Sequence, residues 1–313
     1  MKFELTAEQA DFARSIERLL ASTDTVAAAR AWADGNHDAG LALWARLAEQ
    51  GVHALVVPEE AGGMGATAVE LVTAFELIGR HVVPGPWIES VAFLPRALND
   101  AGVLGELAEG GIGTVERAGH LLDADVAQHR FLADLSAAGE PGELVTSVDP
   151  TRRLFASGRP ADESLPADPA FDLAALATTA ELLGAGERIL EDSVAYVKQR
   201  RQFGREIGSY QAIKHKLADV RIALDFVRPL VLGAALADGT DTFSRDVSAA
   251  KVAAADAAYL ASRTGLQVHG AIGYTLEFDL SLWITRIRAL VTAWGTPAQH
   301  RARVLASLVE AAG

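Results

Sequence analysis

The chain contains no cysteine, which excludes disulfides, thiolate metal sites and cysteine nucleophiles. Long apolar runs are also absent. Hydrophobic residues make up 50% of the sequence, yet none of it approaches the roughly 18 uninterrupted apolar positions a membrane span needs. Positive charge is scarce: 28 Lys and Arg against 41 Asp and Glu give a formal charge of −13, the reverse of the basic face a nucleic-acid binder carries. The opening stretch, MKFELTAEQADFARSIERLL, scatters charges and has no apolar core of the kind found in secretory signals. These absences lead to the expectation of a cytoplasmic protein that engages neither nucleic acid nor membrane. The 313 residues suffice for two or three domains with real cores.

What is present is helical periodicity. Thr6 and Gln9 have the spacing of a capping box and open a first helix. Helical patterns follow over roughly 38–50 and 67–81. Between them, VVPEEAGGMGA (56–66) reads as a tight turn; no Gly-Lys-Ser/Thr follows, so it is not a phosphate loop. After VPGP (83–86) and a further short helical stretch the character changes. Short runs at 120–126, 143–148 and 152–157, broken by Gly, Pro and Asp, read as a small β-rich insert, followed by a loop over 157–170.

Beyond 170 the apolar stripe is strong. Leu173, Leu176, Ala180, Leu183, Leu190, Val194 and Val197 keep a three–four spacing interrupted at Glu187, and Ile213, Leu217, Val220, Leu224, Val227, Val231 and Ala234 keep one throughout. Ala250, Ala254, Ala257 and Ala261 form a third stripe, of small side chains. Leu280, Trp283, Ile287, Leu290 and Trp294 form a fourth. Gly295 is expected to close that helix, with Thr296 capping the next and Pro297 at its first position. The fold class is therefore mainly α: an N-terminal helical domain (1–105), a short β-rich middle segment (106–166) and a C-terminal helical bundle (167–313).

Two loops hold residues that a bundle needing only to fold has little use for. KQRRQFGREIGSYQ (198–211) sets Lys198, Arg200, Arg201 and Arg205 around Phe203 and the turn residue Gly204. Guanidinium groups there can bond a pyrophosphate while the ring packs on a flat heterocycle; a solvated helix end is the plainer reading of that loop alone. QVHGAIGYTLE (267–277) offers open amides at Gly270, Ala271 and Gly273 and an amide fork at Gln267, with His269 read as a packed residue rather than a catalyst.

Taken together, in order and about 65 residues apart, these loops resemble the two flavin-contacting signatures of the acyl-CoA dehydrogenase family. The segment WARLAEQGVHALVVPEEAGGMGATAVELVTAFELIGRHVVPGP resembles that family's first helical domain, so the likeness spans nearly everything except about 106–166. The resemblance implies an acyl-CoA dehydrogenase-like fold, FAD at subunit contacts and an electron-transfer flavoprotein or similar acceptor. It further implies that Arg200, Gln202, Phe203 and Gly204, with Gln267, Gly270 and Ala271, contact the adenosine-pyrophosphate part of a neighbouring subunit's FAD. Ala271 stands where the family has a second glycine.

Two departures follow from the same comparison. The family's reaction needs a carboxylate to take an α-proton from an acyl-CoA thioester while flavin accepts the hydride. In most members that Glu precedes a Gly-Thr near the C-terminus; here Trp294 precedes Gly295-Thr296, and an indole has no basic site. In others it lies about 29 residues before the Phe of the first signature, where this chain has Ala174. The middle segment also lacks the family's Thr-Glu-Pro-x-x-Gly-Ser run. The chain thus resembles the degenerate subunit of the family's actinobacterial, steroid-degrading α2β2 heterotetramers. A homologous subunit would be catalytic and would hold most of the acyl-CoA, and Trp294 would fill a vacated pocket. Two other readings stay open: a self-sufficient homo-oligomer whose base has moved to Asp172, Glu181 or Asp241, and a non-enzymatic helical assembly or acyl-CoA-binding protein.

Overall fold

The computed structural model describes residues 3–162, 164–202, 204–275 and 278–312. Local signals set the first helices. α1 (Ala7–Ala21) starts at Thr6, whose hydroxyl accepts from the Gln9 amide at 3.2 Å while the Gln9 side chain accepts from Thr6 N–H at 2.9 Å. α2 (Thr25–Ala33), which the periodicity did not single out, is capped by Asp24, and α3 (Asp38–Glu49) follows. The 56–66 stretch forms the expected turn, with a short 3₁₀ segment at Glu59–Ala61. α4 (Ala68–Arg80) opens on a second capping box, Thr67 with Glu70, and the Gln9 amide donates to that same Glu70 at 2.8 Å, joining the starts of α1 and α4. A buried π-helical turn, Ile88–Phe93, then leads into α5 (Leu94–Ala97) and α6 (Ala101–Ala108).

The middle segment holds short strands. β1 (Gly113–Val115) pairs in parallel with β3 (His129–Phe131). β2 (His120–Leu122) and β4 (Leu144–Val145) both pair antiparallel with β5 (Leu154–Ala156), with Leu121 opposite Phe155 and Val145 opposite Leu154. The segment is tied to the N-terminal helices at Asp123, which accepts the Trp32 indole N–H at 2.9 Å.

α7 (Pro169–Gln199) is the central helix, capped by Asp168 and buried on every side through its first half. Around it stand α4, α8 (Gln211–Leu236), α9 (Phe243–His269) and α10 (Leu280–Thr292), with α11 (Pro297–Ala312) against α9. The helical stripes fall where the spacing predicts, and Glu187, the break in the first, accepts two bonds from Arg221 at 2.6 and 2.7 Å. A glycine pair sets how closely α4 and α7 approach. A Cβ on Gly79 would sit 2.1 Å from the Glu181 carbonyl oxygen, and one on Gly184 would sit 1.8 Å from that of Glu76. Trp283 of α10 donates its indole N–H to the carbonyls of Gly79 and Arg80, capping α4 from a third helix. Among the described residues no helix is long and apolar enough to cross a membrane.

The sequence reading carried the α10 stripe through Trp294. Instead the helix ends at Thr292, and Trp294 lies beyond it with φ +55°, a left-handed backbone rare for an aromatic residue. Tertiary packing overrides the periodicity there, as the joint itself makes clear below.

The three parts of the chain meet on Arg286 of α10, which is 2% exposed. Its guanidinium donates to Asp149 at 2.6 Å and Thr151 at 2.8 Å in the middle segment, to Glu181 of α7 at 2.7 Å, and to the Val83 carbonyl at 3.3 Å. Both carboxylates are buried, so Arg286→Met would leave two anions without their counter-ion. The variant should lose about 3–5 kcal/mol of stability, read as a lowered denaturant midpoint for the linked domains. A pH effect centres on Asp123, whose carboxyl burial pushes up to about 7 against the Trp32 bond that opposes it. The folded chain therefore holds this proton more tightly than the unfolded chain, and its contribution to stability falls as pH rises from about 4 to about 7. In Asp123→Asn that decline should vanish, so the variant gains on the parent protein progressively across the window in parallel unfolding titrations.

Candidate functional site

The two signature loops come together at one end of the bundle. α7 stops at Gln199 and Arg200 takes extended backbone; β6 (Arg201–Gln202) then turns back on β7 (Arg205–Glu206) through Gly204 at φ +83°. Arg200, Gln202 and Gly204 are all exposed, and Phe203 lies outside the described residues. Arg205 stacks on Tyr210 at 3.9 Å, and Arg201 stands 3.6 Å from Glu206. α9 stops at His269, and Gly270 breaks it with φ +63° and ψ −139°; Gln267, Gly270 and Ala271 are exposed. Tyr196 of α7 stacks on His269 of α9 at 4.2 Å, which holds the two loop bases side by side. His269 is the packed histidine the sequence indicates: its Nδ1–H donates to the Gly265 carbonyl at 2.8 Å, and burial lowers its pKa.

This end suits a diphosphate. Among the described residues nothing lies within 4 Å of where a Cβ on Gly204 or Gly270 would be, which leaves both backbones open to a ligand. Beside the hairpin a groove of about 490 Å³ is lined by Lys198, Lys214, Gly208 and Ser209, with Glu206 and the apolar Val194, Val197 and Leu217. Exposed guanidinium groups, open amides and lysines match the adenosine-pyrophosphate portion of a dinucleotide.

The Trp294 joint lies away from the loops, at the far end of α10. Phe278, just before that helix, packs on His269 at 5.2 Å, and the thirteen residues of the helix then carry the chain roughly 20 Å away. Trp294 is 5% exposed, with its ring 5.0 Å from Phe93 and 5.6 Å from Phe171, and the Arg117 guanidinium lies 5.2 Å from its centre. Its carbonyl accepts from Nε2–H of His300 at 3.0 Å, while Nδ1 of that ring accepts from Ser248. Burial holds His300 at about 4, so the ring is neutral. Gly295, at φ +101°, is closed off: a Cβ there would lie 2.5 Å from His300 Nε2. Thr296 and Gln299 form the cap expected of the last helix, with Pro297 its first residue. Ala174, the other position that the resemblance implies for the base, is fully buried in the bundle core.

The three acids considered as relocated bases do not line the cavity at this joint. Asp172 pairs with Arg303, Glu181 with Arg286, and Asp241 is exposed at the turn between α8 and α9. The structure brings a different acid there. A cavity of about 500 Å³ opens between the joint and the middle segment, and Glu89 lines it with Arg117 and Arg152. Glu89 is 3% exposed; burial pushes its carboxyl up, with Arg152 and the Trp294 side chain acting against the shift. Sequence reasoning missed all three residues. The available signal was a single acid inside the apolar run WIESVAFLP, which the structure makes a π-helical turn, a form common at functional sites.

Because Gly295 is both left-handed and in contact with His300, Gly295→Ala should cost about 2 kcal/mol or more in thermal unfolding. A variant as stable as the parent protein would mean that the joint is not rigidly packed.

Comparison with known proteins places these features in a family. Residues 6–102 match the acyl-CoA dehydrogenase N-terminal domain and residues 167–309 match the acyl-CoA dehydrogenase C-terminal domain. The acyl-CoA dehydrogenase IpdE2 of Mycobacterium tuberculosis is 36% identical over 289 residues, covering 87% of this chain and 88% of that protein. The fold also matches a chain of the ChsE4-ChsE5 complex from Mycobacterium tuberculosis, with TM-score 0.80 at 23% identity and 99% of each chain covered. A further match is a chain of the Tcur3481-Tcur3483 steroid ACAD G363A variant, with TM-score 0.81 at 21% identity, covering 97% of this chain and 98% of that one. The paired helical domains, the two loops at the bundle end and the N-terminal segment thus have one explanation: the chain belongs to the acyl-CoA dehydrogenase family, whose members are FAD-binding oxidoreductases.

Proposed function

We propose that this chain is the non-catalytic subunit of a heteromeric, FAD-dependent acyl-CoA dehydrogenase. It would lend Arg200, Gln202, Phe203, Gly204, Gln267, Gly270 and Ala271 to the FAD of a homologous partner, which supplies the proton-abstracting carboxylate. The observation that carries the reading is the pair of positions where the family places its base. One is Trp294, wedged between Phe93 and Phe171, and the other is Ala174, sealed in the core. Neither side chain can accept a proton.

In such a complex the flavin supplies the hydride acceptor. The contribution of this chain is orientation and charge. Arg200 and the hairpin amides neutralise the diphosphate, and the open backbone at Gly270 allows it close approach. Likeness to the ChsE4-ChsE5 complex and to a steroid ACAD supports a two-subunit assembly and a steroid-derived acyl group. The surface supports assembly as well. Ile222, Phe226 and Leu230 form one exposed stripe on α8, with Phe226 71% exposed, and α11 exposes Leu305, Leu308 and Val309.

A second reading, a dehydrogenase that serves itself, is favoured by one observation: Glu89 is a buried carboxyl with a raised pKa beside the base position. Expression of the chain alone and together with a homologous full-length dehydrogenase separates the two. Flavin absorbance and acyl-CoA dehydrogenation only in the co-purified complex support the subunit; yellow, active protein from this chain alone rejects it. Within the complex, Arg200→Ala removes one charge-assisted contact and should weaken FAD retention about tenfold or more, measured as flavin content after dialysis. Unchanged content would overturn the assignment of that loop.

A further inference from the structure

The cavity beside Trp294 holds more charge than packing requires, and that charge is not used by the loops at the far end of α10. Arg152 is 9% exposed and lines the cavity; among the described residues its guanidinium makes no direct hydrogen bond or ion pair, and its charge acts through space on the buried Glu89 and Asp123. Arg117 is half-buried, its plane 5.0 Å from the Phe171 ring and 5.2 Å from the Trp294 ring, and no described carboxylate lies within ion-pair distance of it. Removing guanidinium groups from water without a counter-charge is costly. The acids nearby are already committed. Asp149 and Glu181 bind Arg286, and Glu116 accepts from the amides of Gly119 and Ala133. Asp162, on the exposed rim, and Asp168, the cap of α7, act on Arg117 only through space.

Among the described residues Glu89 is the one buried acid lining the cavity, and its Oε2 has no hydrogen-bond partner. Burial pushes this carboxyl up, with the charge of Arg152 acting against the shift. Val115, Leu122 and Leu154 form an apolar stretch of the wall, beside a polar one of Thr146, Ser147, Thr292 and Gln299. A cavity of about 500 Å³ falls within the range of small-molecule sites.

The geometry points to a binding site for a compact organic carboxylate, its oxygens held between Arg117 and Arg152 beside Glu89 and its apolar body lying against Val115, Leu122 and Leu154. The donor set matches a carboxylate, whose two oxygens suit the planar forks of two guanidinium groups lining one cavity. A bare phosphate would leave the apolar wall uncovered. The site lies wholly on this chain, so the inference goes beyond the subunit assignment and does not depend on it.

Titration calorimetry on the full-length chain, alone and in the co-expressed complex, tests it with 2-naphthoate as probe. The carboxylate should bind saturably and raise the unfolding temperature, whereas 2-naphthamide and inorganic phosphate should not. Arg152→Gln and Arg117→Gln should each weaken 2-naphthoate binding about tenfold or more. If Arg152→Gln does not fold, Arg117→Gln carries the test, since Arg117 is less buried. No binding up to roughly 10 mM, equal binding of the amide, or unaltered affinity in the folded arginine variants would overturn the proposal. So would displacement of the probe by phosphate or by FAD, which would identify a plain anion site or a flavin site.

Discussion

A single buried guanidinium holds the architecture together. Arg286 is fixed by acceptors from the middle segment, from α7 and from the chain just beyond α4, so each of the three parts of the chain supplies an oxygen that the others would leave unsatisfied. A charge at this depth tolerates little alternative geometry, because every displacement exposes an unpaired ion to a medium that cannot screen it. The middle segment is small and its strands are two or three residues long, so it has little sheet of its own to hold it in place. Its position against the bundle rests heavily on Asp149 and Thr151 meeting Arg286, together with Asp123 meeting Trp32.

With those parts held, α10 acts as a spacer between two chemically different ends. At one end glycine backbones are open and cations are exposed; at the other a glycine is closed by a histidine, and an indole fills the space between two phenylalanines. The contrast between Gly270 and Gly295 is informative, because both have left-handed backbone. Around the first there is room for a ligand, whereas around the second the protein has filled the room itself.

Filling the joint carries a conformational cost. Trp294 adopts φ +55°, a backbone that costs a bulky residue about 1–3 kcal/mol, and the surrounding contacts hold it there. The His300 bond to its carbonyl, the two aromatic neighbours and the stacked Arg117 all require the ring in that one place. Next to this rigid plug, the cavity keeps two guanidinium groups and an acid oxygen that have no direct hydrogen-bond partner among the described residues. Stability alone does not account for such a set, which is why the cavity is the part of the molecule most open to a function of its own.

The helices were legible in the sequence because helical periodicity and capping are local: Thr6 with Gln9, Thr296 with Gln299, and the stripe through Leu224 and Val231 each involve residues a few positions apart. The two loops were legible for a related reason, since cations and glycines clustered along the chain remain clustered in space. The end of α10 was misread because its stripe continues in register to Trp294, while the backbone there obeys His300 and Phe93 instead. Glu89, Arg117 and Arg152 come from three separate stretches, and nothing in their spacing announces that they face one cavity. Sequence alone therefore determined the helical class and the family resemblance, because each depends on the identity of residues at given positions. Only the tertiary structure decided which charges are left without partners, because burial and pairing depend on what distant segments bring to the same place.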